Sequence, residues 1–80
     1  MMLTDKQIQK IIRQWKAECK VTHTVLFRYW NRDGELIIFT DMPGYMIGCH
    51  GETVEKYTNI FKWVDDSFRK ISFIETKGIA

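Results

Sequence analysis

Cys49 and His50 stand side by side in the segment Gly-Cys-His-Gly, residues 48–51. A thiol beside an imidazole is the pair that a cysteine nucleophile and its general base require. Adjacent side chains on a tight loop rarely point at one another, and no third residue that would orient the imidazole is evident. The sequence therefore does not favour a catalytic pair here, and we expect a protein that is not an enzyme.

Thiols and imidazoles are also preferred ligands of zinc, and the chain offers Cys19 and His23 besides the pair in the loop. Two distant segments would have to meet to join these four side chains, and their spacing matches no common zinc pattern. We expect no metal and no other cofactor. Both cysteines are interpreted as reduced thiols, and His23 is placed at a strand edge without a specific role.

The composition predicts one compact domain that comprises residues 1–80, because the chain is short and rich in apolar and aromatic side chains. The net charge of +2 argues against binding nucleic acid through bulk charge alone. No apolar run approaches the ~20 residues of a membrane span, and the N-terminus does not resemble a signal peptide. A cytoplasmic protein without a membrane partner is expected.

Two segments have the apolar period of an amphipathic helix. The first begins at Thr4, which is predicted to form a capping box with Gln7 three residues later. Leu3 and Ile8 are placed as a hydrophobic staple. The apolar positions of the second helix, including Ile60 and Trp63 at its margin, predict a buried face, and Asp65 with Asp66 is interpreted as a solvated helix face. Core packing is predicted for Trp63 and for Trp15 of the first helix. The apolar positions are Ile8, Ile11, Ile12, Trp15 and Cys19 in the first helix, and Val54, Tyr57, Phe61, Val64 and Phe68 in the second.

A β-hairpin is predicted over residues 22–41, with Asn-Arg-Asp-Gly as a turn of two or four residues. Both turn lengths give the same two faces. Val25, Phe27, Tyr29, Leu36 and Ile38 form an ordinary core face. The other face is too apolar to be left in water, so a protein contact is expected there, either a homodimer or a larger partner. That face comprises Leu26, Arg28, Trp30, Glu35, Ile37 and Phe39.

Residues 41–61 contain three glycines within eight positions, a pattern that would let another chain approach the backbone closely. Pro43 fits the start of a short helix, which Gly48 ends, and a long helix starts after Gly51. Glycine at both corners permits a tight turn and close approach of another chain, and a helix N-terminus favours a phosphate. A plain turn between two helices remains the alternative interpretation.

The segment Met-Pro-Gly-Tyr-Met-Ile-Gly-Cys-His-Gly-Glu-Thr-Val-Glu-Lys-Tyr, residues 42–57, resembles the signature of the KH domain, a module that binds single-stranded RNA through an Ile-Gly-x-x-Gly loop between two helices. Ile47, Gly48 and Gly51 fall on that loop, and Pro43 with Gly44 is similar to the bacterial small-subunit ribosomal version. The last strand, predicted in Lys-Ile-Ser-Phe-Ile-Glu-Thr, completes the order α-β-β-α-α-β of the type II arrangement. The resemblance implies an α+β fold with a three-stranded sheet and three helices on one face.

By this resemblance the protein binds single-stranded nucleic acid, RNA in preference to DNA. The implied contacts are the loop against the backbone of about four nucleotides, an apolar groove for the bases, and two flanking side chains. Family members commonly carry a basic residue between the glycines, whereas this loop has none, and a histidine gains charge only as the pH falls toward about 6. Weak, salt-sensitive binding that strengthens at lower pH is expected. The implied residues are Gly48, Cys49, His50 and Gly51 in the loop, Met46 and Ile47 in the groove, and Thr53 and Lys56 beside it.

The alternative hypothesis is a KH-like protein-interaction module that has lost the basic loop residues. In that case binding occurs through the outer sheet face, chiefly through Leu26, Trp30, Ile37 and Phe39. The two hypotheses differ in which surface is needed for activity, so single substitutions on either surface separate them.

Overall fold

The computed structural model of the protein describes residues 3–76 and shows an α+β fold in that range. The tail predicted after the last strand lies outside the described residues. The elements occur in the predicted order: helix α1 (Asp5–Cys19), strands β1 (Leu26–Trp30) and β2 (Glu35–Thr40), helix α2 (Pro43–Ile47), a 3-10 turn (Cys49–Gly51), helix α3 (Glu52–Val64) and strand β3 (Lys70–Glu75).

The sheet has the order β1-β2-β3, with β2 antiparallel to β1 and parallel to β3. Trp30 pairs with Glu35, so the hairpin turn is residues 31–34, the longer of the two predicted turns. Leu26 pairs with Phe39 in the same register. Because paired residues share a face, this register confirms the predicted division of the hairpin into two faces.

Helix α1 starts with the predicted capping box. The Gln7 N–H donates to Thr4 Oγ1 over 3.2 Å, and the Thr4 N–H donates to Gln7 Oε1 over 2.9 Å. Leu3 and Ile8, on either side of the cap, are both buried in the core. The cap satisfies amides that the helix itself leaves unpaired, and the two apolar residues fix the angle at which the chain enters α1.

One hydrophobic core lies between the helices and the inner face of the sheet. Leu36 and Ile38 of β2 have no exposed surface. Side chains from all of the described helices pack onto that face, as the sequence predicts, and the opposite face of the sheet keeps exposed apolar side chains. Within residues 3–76, no helix has both the length and the apolar character needed to cross a membrane. The largest fully buried side chains of the helices are Trp15, Tyr57, Phe61, Ile8 and Met46.

The prediction that Trp63 packs in the core is wrong, because 88% of this residue is exposed. Phe61, two positions earlier on α3, is fully buried. Two residues turn an α-helix by about 200°, so a side chain two places after a core position points to the solvent side. The tryptophan side chain is apolar enough to suggest burial, but its position on the helix decides otherwise.

The solvated helix face predicted for Asp65 is also wrong, because Asp65 is 3% exposed and follows the last residue of α3. Its carboxylate accepts hydrogen bonds from the Ser67 hydroxyl (2.7 Å), the Ser67 N–H (3.0 Å) and the Leu3 N–H (3.2 Å). These bonds, that from the Ser67 hydroxyl first, lower the pKa of Asp65. The carboxylate therefore connects the start of α1 to the end of α3, whereas Asp66 is exposed.

We predict that Asp65→Asn lowers the melting temperature at neutral pH, because an amide cannot replace an acceptor that takes three N–H or O–H donors. A carboxyl whose pKa is lower in the folded state than in the unfolded state stabilises the fold fully at pH values above its unfolded pKa of 3.8. That contribution is lost as the pH falls through the folded pKa. The difference between variant and parent should therefore shrink below about pH 3.8. Thermal melts from pH 2.5 to 7 measure it, with Asp66→Asn as the matched control, and equal effects of the two variants would contradict the prediction.

Candidate functional site

The junction between α2 and α3 reverses the chain within four residues. Gly48, which ends α2, has φ 81° and ψ 174°, and His50 and Gly51 have φ 57° and 73°. Residues other than glycine are disfavoured at these angles, although histidine adopts the left-handed region more readily than most residues do. The glycines at both corners are therefore required by the backbone, as the spacing predicts.

Gly48 is also crowded by the following helix. A Cβ atom at this position would overlap Oγ1 and Cβ of Thr53, whereas a Cβ at Gly51 would meet nothing within 4 Å. Thr53, predicted to flank the site, is thus partly occupied in packing against the first glycine. The two glycines serve different purposes: Gly48 allows close packing of the loop on α3, and Gly51 supplies the turn into α3 and leaves open space beside it.

Three amides of the junction are used inside it. The N–H groups of Gly48, Gly51 and Glu52 donate to carbonyl groups three or four residues earlier. Within the part of the chain that the structure describes, the amides of Cys49 and His50 meet no backbone acceptor, and both residues are exposed. Gly51, the N-cap of α3, offers no side-chain acceptor to the first turn either. The exposed tip of the loop therefore carries two adjacent N–H groups without a backbone partner.

The two groove residues of the sequence prediction lie in different environments. Ile47 is half-buried at the end of α2, so part of its side chain is available at the surface. Met46 has no exposed surface, and its carbonyl oxygen accepts a 3.0 Å hydrogen bond from Trp15 Nε1. Met46 thus belongs to the core, and of this pair Ile47 supplies the apolar surface beside the loop.

The positive charge of Lys56 is paired within the domain. Its Nζ atom lies 2.8 Å from Glu18 Oε1, and the Tyr57 hydroxyl donates to the same oxygen over 2.9 Å. These two bonds lower the pKa of the Glu18 carboxyl. Burial, together with the bond to Glu18, raises the pKa of the Tyr57 hydroxyl to about 12.

Further carboxylates lie near the loop. Glu52 and Glu55 occupy the first turn of α3, where they favour the helix dipole but repel an incoming anion. The side chain of His50 is therefore the group within the loop itself that can carry positive charge. The loop has donor geometry for a phosphate with little positive charge around it.

The outer face of the sheet has the apolar exposure that the sequence predicts. Leu26 is 63% exposed and Trp30 46%, and the neighbouring Ile74 of β3, which the hairpin pattern did not include, is 48% exposed. Ile37 and Phe39 on the central strand are half-buried. The guanidinium of Arg28 lies 5.4 Å from the centroid of the Trp30 ring and covers part of it.

The remaining candidates for chemistry are dispersed. Among residues 3–76 no group of His, Cys, Asp or Glu side chains is placed to hold a metal ion, and Cys19 and Cys49 are both free. His23 differs from the sequence interpretation, since its Nδ1 atom lies 2.8 Å from Asp41 Oδ2 and links the segment before β1 to the end of β2. The sequence did not predict that Asp41 pairs with His23 or that Glu18 pairs with Lys56, because the two members of each pair are distant in sequence.

Comparisons of this chain with protein-family models, with curated proteins and with solved structures each found no match. The resemblance of the loop and of the element order to the KH domain therefore stays a prediction from the sequence.

We predict that Gly48→Ala lowers the free energy of unfolding by about 2–4 kcal/mol, because the methyl group overlaps Thr53 and the backbone angles suit glycine alone. Gly51→Ala, which has open space but a left-handed φ, should cost about 1–2 kcal/mol. Gly44→Ala is the matched control, since a Cβ there meets nothing and alanine favours the helix. Urea denaturation gives all three values, and an equal loss at Gly44 and Gly48 would refute the packing argument.

Proposed function

We propose that the protein is a type II KH-like module that binds single-stranded nucleic acid, RNA in preference to DNA, and performs no chemical reaction. The observation that carries the proposal is the exposed, glycine-bounded loop in which the amides of Cys49 and His50 are unpaired. The order α-β-β-α-α-β and the mixed sheet of the described residues support it. The compartment that accompanies this proposal is the cytoplasm.

In the proposed complex the nucleic acid backbone passes over the loop tip. Phosphate oxygens accept hydrogen bonds from the amides of Cys49 and His50, and Gly51 leaves room for the sugar-phosphate chain. Ile47 provides apolar contact for a base, and Thr53 borders the same surface. Because Lys56 is paired with Glu18, affinity depends on hydrogen bonding more than on charge, so we expect weak binding of about four nucleotides.

We predict that replacing both Cys49 and His50 by Asp reduces binding of a short mixed-sequence RNA at least about tenfold, because two carboxylates at the loop tip repel phosphate. Both side chains are exposed, so the fold should be retained. The measurement is a chemical-shift titration of labelled protein with RNA and DNA oligomers of eight nucleotides. In the parent protein the shifts should be confined to residues 46–56.

The matched control carries the same added charge elsewhere, Gln14→Asp with Asn59→Asp, at two exposed positions on α1 and α3. This control should bind nearly as well as the parent. The proposal fails if the parent shows no shifts with either oligomer at pH 6 or pH 8, or if the control variant weakens binding as much as the loop variant does.

A second candidate function is a KH-like protein-interaction module that uses the outer sheet face. The observation that favours it is the exposure of Leu26 and Trp30 on β1 and of Ile74 on β3, with the half-buried Ile37 and Phe39 of β2 between these two strands. A contiguous apolar surface of this kind usually marks a contact with another protein. A second copy of the chain is the simplest partner.

If a homodimer forms through that face, Trp30→Ala should increase its dissociation constant at least about tenfold, because a large aromatic side chain that becomes buried in an interface often contributes about 2 kcal/mol or more. Light scattering and sedimentation over a wide concentration range measure this. Trp63→Ala is the control, since Trp63 is an exposed tryptophan on a helix rather than on the sheet. A parent protein that stays monomeric throughout the range would exclude the homodimer.

A further inference from the structure

A second surface, separate from the α2–α3 junction, is an open groove of about 480 Å³ between α1 and β1. Its floor is apolar and includes Ile12 of α1 together with Val25 and Phe27 at the start of the hairpin. Gln9, Arg13 and Lys16 line the helix side. These three residues are spaced four and three positions apart, so they lie along one side of α1 over about 10 Å.

The rim of the groove is positively charged and its charges are unpaired. Within residues 3–76 the ion pairs are those of Glu18, Glu35 and Asp41, and none of them involves Arg13 or Lys16. The segment from Val21 to Trp30, which forms the opposite wall, contains no acidic residue. An occupant of this groove should therefore carry negative charge beside apolar groups.

The wall formed by β1 also offers backbone hydrogen bonds. β1 is an edge strand that pairs with β2 alone, so alternate N–H and C=O groups point away from the sheet. An added strand along this edge would place alternate side chains on the two faces of the sheet. One set would enter the groove beside Ile12, and the other would lie next to the exposed Leu26 on the outer face.

The charges argue against a second copy of this chain as the occupant. Antiparallel pairing of β1 with itself would bring Arg28 of each copy close together, and it would supply no acidic residue to Arg13 and Lys16. A nucleic acid would satisfy the charges, but its backbone cannot continue a β-sheet, and the apolar floor near Val25 would gain little from phosphates. An acidic, extended peptide satisfies the charges, the apolar floor and the free strand edge together.

We propose that the groove between α1 and β1 binds an extended peptide segment in which acidic and β-branched apolar residues alternate. The peptide adds a fourth strand next to β1. Its acidic side chains enter the groove, where their methylene groups cover Ile12 and Phe27 and their carboxylates face Arg13 and Lys16. Its apolar side chains lie beside the exposed Leu26 on the outer face. At about 3.3 Å per residue, a groove of about 10 Å takes three to four residues. This inference does not depend on nucleic-acid binding by the loop.

The test uses an acetylated hexapeptide of alternating valine and glutamate, titrated into the labelled protein by NMR. We expect shifts in α1 and β1, millimolar affinity, and roughly tenfold weaker binding to the double variant Arg13→Glu, Lys16→Glu. The matched control with the same charge change elsewhere is Arg32→Glu, Lys62→Glu, at exposed positions in the hairpin turn and on α3. It should bind the hexapeptide nearly as the parent does.

Two peptide controls address the mechanism of binding. The same sequence with lysine in place of glutamate should not bind, and a version with N-methylated valines, which cannot donate hydrogen bonds from those residues, should bind much more weakly. The proposal is overturned if the glutamate and lysine peptides bind alike, if the shifts lie at the loop of residues 48–51, or if the hexapeptide causes no shifts at all. Shifts of the α1 and β1 resonances on dilution would indicate a second copy of the chain in the groove, and shifts with an RNA oligomer would indicate a nucleic acid. Either result, without shifts from the peptide, also overturns the proposal.

Discussion

The position of the Trp15 indole fixes how the elements of this domain meet. The indole stacks on the Tyr57 ring of α3 with centroids 4.7 Å apart, and it makes a T-shaped contact with the Phe73 ring of β3, with centroids 6.0 Å apart. Its Nε1 donates to the carbonyl of Met46 near the end of α2. One residue of α1 thus contacts the other two helices and the sheet, and a buried indole without that acceptor would leave a donor unsatisfied.

The same indole determines the surroundings of the loop. Met46 precedes Gly48 by two residues, so the hydrogen bond from Trp15 holds the chain where the junction begins. Tyr57, stacked beneath the indole, directs its hydroxyl to Glu18, and Glu18 in turn binds Lys56. A core contact therefore decides both where the loop stands and why the nearest lysine is not free to meet a phosphate.

Local patterns predicted the elements well, and long-range partners were beyond their reach. The capping box of Thr4, the two faces of the hairpin and the glycine corners depend on neighbours in sequence, and the structure agrees with each. Asp65 is buried and accepts a hydrogen bond from Leu3, which is distant along the chain, and Lys56 is paired with Glu18 of another helix. Trp63 shows a related difficulty, because an apolar residue at the edge of the buried face of α3 does not by itself show where that face ends.

The distribution of charge separates the two binding surfaces that we propose. Salt dependence of nucleic-acid binding comes from the cations that replace counter-ions on the phosphates. Lys56 is paired, and the loop carries only His50, so few counter-ions would be released there and the amides of Cys49 and His50 must supply most of the affinity. Arg13 and Lys16, unpaired within residues 3–76, lie instead beside an apolar floor and a strand edge, which suit an acidic peptide better than a phosphate chain.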